Sequence, residues 1–223
     1  KAFNTLNTNS FFLKPISDYG GRGCFLITKE NLDLNIKSHG KEIIEKDYLG
    51  QQVLEQHESI NQINPSCINT IRMETYIDTK GQVHILSGFI RFGNGKSVVD
   101  NASSGGFYVG IDMEKGTLKN LGRQLIRYGG QRFTRHPHTN FEFGGFKLPF
   151  FKESCSLILQ MVNHIPDGLI GWDIAITPKG PVVIEGNTQP GLMVTDIAYG
   201  GLLKNPVMKE AVSRIQSSNY SYA

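Results

Sequence analysis

Residues 171–187 read GWDIAITPKGPVVIEGN, and this stretch decides the fold prediction. Two runs that alternate between apolar and polar residues flank the tripeptide Pro178-Lys179-Gly180. Proline suits the first position of a tight turn and glycine suits a left-handed position, so the stretch predicts a β-hairpin with a three-residue loop. In that register Thr177 pairs with Pro181.

The same register places three polar side chains together. Asp173 falls directly opposite Glu185, and Asn187 points to the same side because strand side chains alternate. Two carboxylates and an amide supply the hard oxygen ligands that Mg²⁺ prefers, although a solvated hairpin face with ordinary acidic residues is the alternative. The opposite side of the hairpin is apolar and is predicted to pack in the core through Trp172, Ile174, Ile176 and Ile184.

The composition indicates a globular protein of moderate size. The 223 residues carry a net charge of +3, without the Lys/Arg cluster typical of nucleic-acid binding. The three cysteines lie far apart without metal-ligand spacing, which favours a reduced, cytoplasmic setting. No apolar run reaches transmembrane length and no signal peptide is found. The first residue is Lys rather than Met, so we expect the chain to begin inside a longer protein.

Apolar periodicity predicts a mixed α+β fold dominated by antiparallel hairpins. We expect further strands at residues 11–13, 24–28, 70–77, 82–92 and 107–111. We expect helices at residues 150–164 and 207–215, and a partly helical segment at residues 29–44. Residues 123–146 are predicted to be irregular, and there His136 and His138 lack a third soft metal ligand, so they are expected to contact substrate or solvent.

A glycine-rich turn separates the first two strands. Residues 18–23 read DYGGRG, and Gly20, Gly21 and Gly23 would let backbone N–H groups approach phosphate oxygens. Lys14 ends the preceding strand, where its ammonium could reach the same phosphates. The turn lacks both the P-loop pattern and GxGxxG, and an ordinary hairpin loop with a solvated lysine is the alternative.

Two arginines interrupt apolar strands, where an unpaired charge is costly. Arg72 and Arg91 suit an anionic ligand because a guanidinium forms paired hydrogen bonds with phosphate oxygens. With a regular three-residue loop at residues 79–81, the two side chains would point to opposite faces of the hairpin. Both serve one site only if a β-bulge near Gly88 or Gly93 shifts the register; otherwise one of them is structural.

In their order along the chain, these residues resemble the ATP-grasp fold. FFLKP and GGRG resemble its lysine strand and glycine loop, QQVLEQH its hinge, NTIR its arginine strand, and WDIAITPKGPVVIEGN its metal hairpin. Three segments resemble the sugar-transfer-associated ATP-grasp family, related to α-L-glutamate ligases: QHESINQINPSCINTIRMETYID, IRFGNGKSVVDNASSGGFYVGID and HPHTNFEF. The resemblance covers residues 11–215.

The resemblance implies an α+β fold in which two subdomains clamp ATP between antiparallel sheets. Residues 1–50 would form the small subdomain with the glycine flap, and residues 51–223 the large subdomain with the metal hairpin. The usual preceding domain, with an earlier ATP-contacting lysine, is missing from the sequence. Gln51 and Gln52 stand where many relatives carry Glu.

The family's residue roles carry over by position. Lys14 would contact the ATP phosphates beneath a flap formed by Gly20, Gly21 and Gly23. Adenine and ribose would meet Gln51, Gln52, Leu54 and Glu58. Arg72 and Arg91 would meet the γ-phosphate and an acyl phosphate, with Asn101 nearby and residues 136–139 at the substrate entrance. Mg²⁺ would be held by Asp173, Glu185 and Asn187.

The activity that the resemblance implies is ATP-dependent ligation of a carboxylate to an amine through an acyl phosphate. Its small-molecule substrates would be amino acids or sugar-linked molecules in polysaccharide or peptide assembly. Two alternatives stay open: an ATP-grasp phosphotransferase, which ends at a phosphorylated product, and a nucleotide-binding module without turnover. Neither the substrates nor the oligomeric state follow from the sequence.

Overall fold

The computed structural model describes residues 8–17, 23–93 and 105–217, apart from the side chain of Ser217. The chain divides into two compact units, Lys1–Glu55 and Gln56–Ala223. No helix within the described residues is long and apolar enough to cross a membrane.

The first unit is a three-stranded antiparallel sheet with one helix. Strands β1 (Ser10–Pro15), β2 (Phe25–Thr28) and β3 (Tyr48–Gln52) pair in the order β2-β1-β3. Helix α1 (Leu32–Glu45) follows a turn in which Asn31 Oδ1 accepts the N–H of Thr28 at 2.8 Å. No residue of α1 is buried, and the buried apolar residues of the described part of this unit are Phe11, Pro15 and Ile27.

The second unit is built on a seven-stranded antiparallel sheet. Its strands are β4 (Ile71–Ile77), β5 (Val83–Phe92), β6 (Phe107–Asp112), β7 (Thr117–Gln124), β8 (Arg132–Phe133), β9 (Leu169–Thr177) and β10 (Gly180–Asn187). They pair in the order β10-β9-β4-β5-β6-β7-β8. The helices are α2 (Glu58–Asn61), α3 (Phe151–Val162), α4 (Leu192–Tyr199) and α5 (Pro206–Ser217). Strand β7 was not among the predicted strands.

One face of this sheet, the core face, packs against α3. Alternate residues of the central strands supply it, among them Met73, Ile90 and Trp172, which have no exposed surface. Ile158 and Val162 come from the apolar stripe of α3. Because side chains alternate along a strand, the intervening residues form the opposite face.

The opposite face, called the polar face here, carries most of the predicted site in this unit. It includes Arg72, Glu74, Phe89, Arg91, Tyr108, Arg123, Asp173, Glu185 and Asn187. Helix α4 crosses this face and packs Val194 and Ala198 against the buried residues Phe89 and Tyr108.

The β4–β5 hairpin contains a β-bulge at Leu86. Its loop end is regular, with Ile77 opposite Val83, but the register shifts by one residue at Leu86, so that Arg72 lies opposite Phe89. An extra residue on one strand changes the face of every side chain beyond it.

This shift resolves the alternative that the sequence left open for the two arginines. Arg91 follows Phe89 by two residues, so Arg72 and Arg91 share the polar face. The bulge falls at Leu86, two residues before Gly88, and so lies near one of the two positions expected from the sequence.

The β9–β10 hairpin has a shorter loop than predicted. Thr177 pairs with Gly180 rather than with Pro181, so the loop contains residues 178 and 179 alone. Gly180 has a φ of +127°, and Thr177 Oγ1 donates to its carbonyl at 2.8 Å. The predicted pairing of Thr177 with Pro181 was therefore wrong.

A second bulge compensates for the shorter loop. The register shifts between Val183 and Glu185, which restores the predicted pairing of Asp173 with Glu185. Val183, rather than the predicted Ile184, packs against the core cluster. Asp173 and Glu185 therefore pair as predicted, but the pairing results from a two-residue loop and a bulge rather than from a three-residue loop.

Candidate functional site

Two arginines and one aspartate form a cluster at the centre of the polar face. Arg72 Nε and Nη2 donate to Asp173 Oδ1 and Oδ2 at 2.5 and 3.0 Å. Arg91 Nη2 lies 3.0 Å from Asp173 Oδ2. The exposed side-chain fractions are 13% for Arg72, 14% for Arg91 and 4% for Asp173. Two partly buried cations thus share one buried anion.

The arginines keep Asp173 ionised. Burial, the largest single influence, would raise the pKa of Asp173, but the charges and hydrogen bonds of Arg91 and Arg72 together lower it below its ordinary value. One carboxylate against two guanidiniums leaves the cluster with net positive charge. Such a cluster can accept a further anion.

Arg91 is also fixed from its own side. Its Nε donates to Thr70 Oγ1 at 2.8 Å, and its Nη2 donates to the same oxygen. The N–H of Arg91 donates to the Thr70 carbonyl at 2.9 Å. These contacts hold the guanidinium plane in one orientation.

Gly171 gives Arg72 the room to reach Asp173. A Cβ atom at position 171 would lie 3.1 Å from Arg72 Nη1 and 2.8 Å from the Cβ of Pro190. Gly171 lies on the polar face, two residues before Asp173. Its missing side chain is therefore required by a close approach rather than by its backbone angles.

Glu185 and Asn187 lie on β10 beside the cluster. Glu185 pairs with Asp173 across the strands, and both Glu185 and Asn187 are half-buried. Asn187 Nδ2 donates to the Gly171 carbonyl at 3.3 Å and to Glu185 Oε1 at 3.5 Å. The structure therefore brings all three predicted metal ligands to one face.

This donor set is chemically suited to a magnesium ion. In the described part of the chain, no group of three or more His, Cys, Asp or Glu side chains is placed to hold a metal. Two carboxylates and an amide match an ion that takes one or two carboxylates and leaves its other positions to water and phosphate. Both oxygens of Asp173 already accept hydrogen bonds, but a carboxylate offers about four lone-pair sites.

Glu74 adjoins the site and was not singled out from the sequence. It follows Arg72 by two residues, has no exposed surface, and accepts hydrogen bonds at 2.7 Å each from Thr195 of α4 and Ser87 of β5. Burial raises the pKa of Glu74 above its ordinary value, against the opposing effects of these hydrogen bonds and of Arg72. A signal was present, because a second charge follows Arg72 in the alternation of IRMETYI.

Lys14 and Gln51 share one face of the sheet in the first unit. Lys14 pairs with Leu49, and Gln51 follows Leu49 by two residues. Leu26 and Leu49 lie on the same face and are 44% and 50% exposed. Gln52 points to the other face. This surface thus combines a cation, an amide and exposed apolar groups.

The remaining predicted nucleotide contacts are dispersed along the chain. Gly23 has a φ of +67°, which favours glycine, and Leu54 is half-buried after β3. Glu58 is exposed at the first position of α2. Gly20, Gly21 and Asn101 lie outside the described residues.

His136 lies in the core rather than in an open loop. It is 2% exposed and packs on the core-face residues Phe92 and Phe107, with ring centroids 5.9 and 5.5 Å away. Its Nδ1 accepts the N–H groups of His138 and Thr139 at 3.3 Å each. Burial, aided by the charge of His138, lowers the pKa of His136 to about 4. The ring therefore organises the turn as a neutral acceptor.

These features define the class of the protein. Two mixed units built on antiparallel sheets, one carrying a lysine beside exposed leucines and the other carrying arginines, carboxylates and an amide, correspond to the ATP-grasp fold. The chain belongs to the sugar-transfer-associated ATP-grasp family, whose model matches residues 1–211. A search of curated proteins finds no match.

Solved structures with the same fold are distant in sequence. N5-carboxyaminoimidazole synthetase from Staphylococcus aureus, complexed with ADP, superposes with a TM-score of 0.55 at 10% identity, over 92% of this chain and 42% of that one. D-alanyl-alanine synthetase A from Vibrio cholerae O1 biovar eltor str. N16961 gives 0.52 at 15% identity, over 96% and 54%. The chain thus spans about half the length of these neighbours.

Proposed function

We propose that this chain binds ATP with Mg²⁺ and belongs to an enzyme that joins a carboxylate to an amine through an acyl phosphate. The observation that carries the proposal is the placement of Arg72 and Arg91 on a shared Asp173, beside Glu185 and Asn187. Family membership and the fold shared with two synthetases, one of which is complexed with ADP, support it.

The proposed first step is attack of a substrate carboxylate oxygen on the γ-phosphorus of ATP. The bond from that phosphorus to its bridging oxygen breaks, and ADP leaves with the electron pair. Arg72 and Arg91 orient the γ-phosphate and neutralise its charge, and Lys14 contributes a further cation. Mg²⁺ held by Asp173, Glu185 and Asn187 would supply additional positive charge to the phosphate oxygens.

The second step transfers the acyl group to an amine. The amine nitrogen attacks the acyl carbon, the carbon–oxygen bond to phosphate breaks, and phosphate leaves while the nitrogen loses a proton to solvent. The substrates would be amino acids or sugar-linked molecules. Adenine would lie near Gln51, Gln52 and Leu54, and the ribose near Glu58.

Calorimetric titration of a non-hydrolysable ATP analogue, with and without Mg²⁺, tests the proposal. We expect Mg²⁺-dependent binding to the native protein and binding at least about tenfold weaker to Glu185→Gln, because a carboxylate ligand becomes a neutral amide. Glu153→Gln, an exposed change on α3, is the matched control and should bind as the native protein does. Absence of binding to the native protein would contradict the proposal.

Product analysis separates the ligase from the phosphotransferase. An amide product formed with ADP and phosphate supports the ligase. A stable phosphorylated acceptor with ADP supports the phosphotransferase, and analogue binding without any turnover supports a nucleotide-binding module.

A further inference from the structure

A cavity of about 650 Å³ lies in the second unit, beside the arginine–aspartate cluster. Its floor is the polar face of β6 and β7, with Tyr108, Lys119 and Arg123 among the lining residues. The C-terminal end of α4, which Gly200 caps, forms a wall. None of the roles proposed above uses this cavity.

The wall formed by α4 is held firmly against the sheet. A Cβ atom at Gly110 would lie 2.4 Å from the Ala198 carbonyl oxygen, so the missing side chain permits the close approach of the helix end. Lys119 Nζ donates to the carbonyls of Ala198 and Tyr199 at 3.0 and 2.9 Å, and lies 5.3 Å from the centroid of the Tyr199 ring. Lys119 therefore stabilises the position of the helix end that forms the cavity wall.

The charge balance of the cavity is positive. Three cations line it against a single carboxylate, Asp112, and Lys115 lies 3.4 Å from that carboxylate. Lys119 is bound to the helix end and Lys115 lies beside Asp112, so Arg123 is the lining cation left to bind a ligand. It is half-buried, and its side chain makes no hydrogen bond or ion pair with any residue that the structure describes.

Tyr108 adds an unpartnered hydroxyl to the same place. It is 1% exposed, lines the cavity and lies directly across the strands from Arg123. Its hydroxyl has no hydrogen-bond partner within residues 8–17, 23–93 and 105–217. Because it lies on the cavity lining, this hydroxyl can donate a hydrogen bond to a ligand oxygen.

The cavity and the arginine–aspartate cluster occupy neighbouring positions on the polar face. Arg91 pairs with Tyr108, and Tyr108 pairs with Arg123, on three adjacent strands. Neighbouring strands lie about 4.8 Å apart, so the two arginine backbones lie about 10 Å apart. A small molecule can therefore present one group at Arg91 and another at Arg123.

We propose that this cavity binds a non-reacting anionic group of the substrate, a carboxylate or a phosphate, through the Arg123 guanidinium and the Tyr108 hydroxyl. The assignment to substrate rests on the proposed function, since it places the reacting carboxylate at Arg91. The substrate class is then a molecule with two anionic groups rather than a neutral acid.

The test is a titration of the whole chain with two probes, inorganic phosphate and glutarate, in the presence of Mg²⁺–ADP. The Nε–H signal of Arg123, identified by its loss in Arg123→Gln, is followed by NMR. We expect a saturable shift of that signal and probe binding at least about tenfold weaker in Arg123→Gln, as for a lost charge-assisted hydrogen bond. Tyr108→Phe should weaken binding about two- to tenfold. The stronger probe identifies the group.

Arg127→Gln is the matched control, because it removes an exposed arginine four residues away whose guanidinium stacks on Tyr128 outside the cavity. It should leave probe binding unchanged. Equal weakening by Arg127→Gln and Arg123→Gln, or no shift in the native protein, would overturn the proposal. ADP binding without probe binding would reject the cavity site alone, whereas probe binding without ADP binding would reject the nucleotide function and leave an anion site.

Discussion

Asp173 is the residue on which the polar face depends, since it balances two partly buried guanidiniums. Removing one member of a buried ionic group leaves the others without compensation, which costs more than the group contributed. A substitution at Asp173 therefore changes stability as well as ligand binding. Glu185 lies at the side of the cluster and is half-buried rather than buried.

We predict that Asp173→Asn lowers the free energy of unfolding by about 3 kcal/mol or more. Glu185→Gln should change it by about 1 kcal/mol, because Glu185 is half-buried and the amide oxygen of Gln can still accept the hydrogen bond from Asn187. Urea unfolding of both variants measures the difference. Equal losses would mean that the arginines do not depend on Asp173. Glu185→Gln is consequently the cleaner probe of metal binding.

We predict that acid lowers the stability of the fold, because His136 is buried as a neutral ring. Its pKa falls from an ordinary value of 6.5 to about 4 on folding, so between these pH values the unfolded chain binds more protons than the folded chain. Its contribution to stability is complete above pH 6.5 and is lost as the pH falls toward 4. Thermal unfolding at several pH values should show this slope.

His136→Gln should flatten the slope between pH 6.5 and 4, because the amide oxygen accepts hydrogen bonds without titrating in this range. The exposed His164 provides the control, and His164→Gln should retain the slope. An unchanged slope in His136→Gln would assign the acid sensitivity to other groups.

At the scale of elements, strand β9 must pass Arg72 without a side chain at position 171. We predict that Gly171→Ala lowers the free energy of unfolding by about 1–3 kcal/mol, because the new methyl group overlaps Pro190 and Arg72. It should also weaken ATP-analogue binding by displacing Arg72. Unfolding curves and calorimetry measure the two effects.

Gly168 gives the matched control, since a Cβ atom there has no atom within 4 Å. Gly168→Ala should behave as the native protein in both measurements. If Gly171→Ala is as stable and binds as tightly as Gly168→Ala, then Arg72 does not need the gap at Gly171.

The two hairpins also show which features of the fold can be predicted from the sequence. Alternation identified both hairpins, and it placed Asp173 opposite Glu185. It missed the two-residue loop and the bulge after Val183, whose effects on the register cancel. A bulge has no composition of its own, because the packing of both sheet faces selects it.

Other misses have different physical causes. Strand β7, TLKNLGRQ, lacks apolar alternation because its buried positions after Leu118 are Gly122 and Gln124, which carry no apolar side chain. His136 lies in a loop as predicted, but it was expected to contact substrate or solvent because residues 123–146 are irregular and rich in Gly, His and Arg. Aromatic rings from two strands bury it instead. Long-range contacts of this kind leave no local pattern.

At the scale of the molecule, the two units have unequal cores. The described part of the first unit buries Phe11, Pro15 and Ile27, whereas a large cluster spans the sheet of the second. Since local stability follows buried apolar contacts, the first unit should open more easily. Two regions of one chain then differ in their readiness to change conformation.

Hydrogen exchange measured by mass spectrometry tests this difference. We predict faster exchange in β1 and β3 than in β4 and β9, and slower exchange in β1 and β3 once the ATP analogue and Mg²⁺ are added. Equal exchange in both sheets without ligand would contradict the unequal cores. Exchange that the ligand does not change would count against nucleotide binding by the first unit.

The single extra residue at Leu86 has an evolutionary consequence. Deleting it, or inserting one residue between it and Arg91, would turn the Arg91 side chain into the core while leaving the composition of the strand nearly intact. Selection should therefore conserve the length of this segment more strictly than the identities of its residues. Among homologues, substitutions in residues 83–90 should be frequent and gaps of one residue rare, and where such a gap occurs a second one should accompany it.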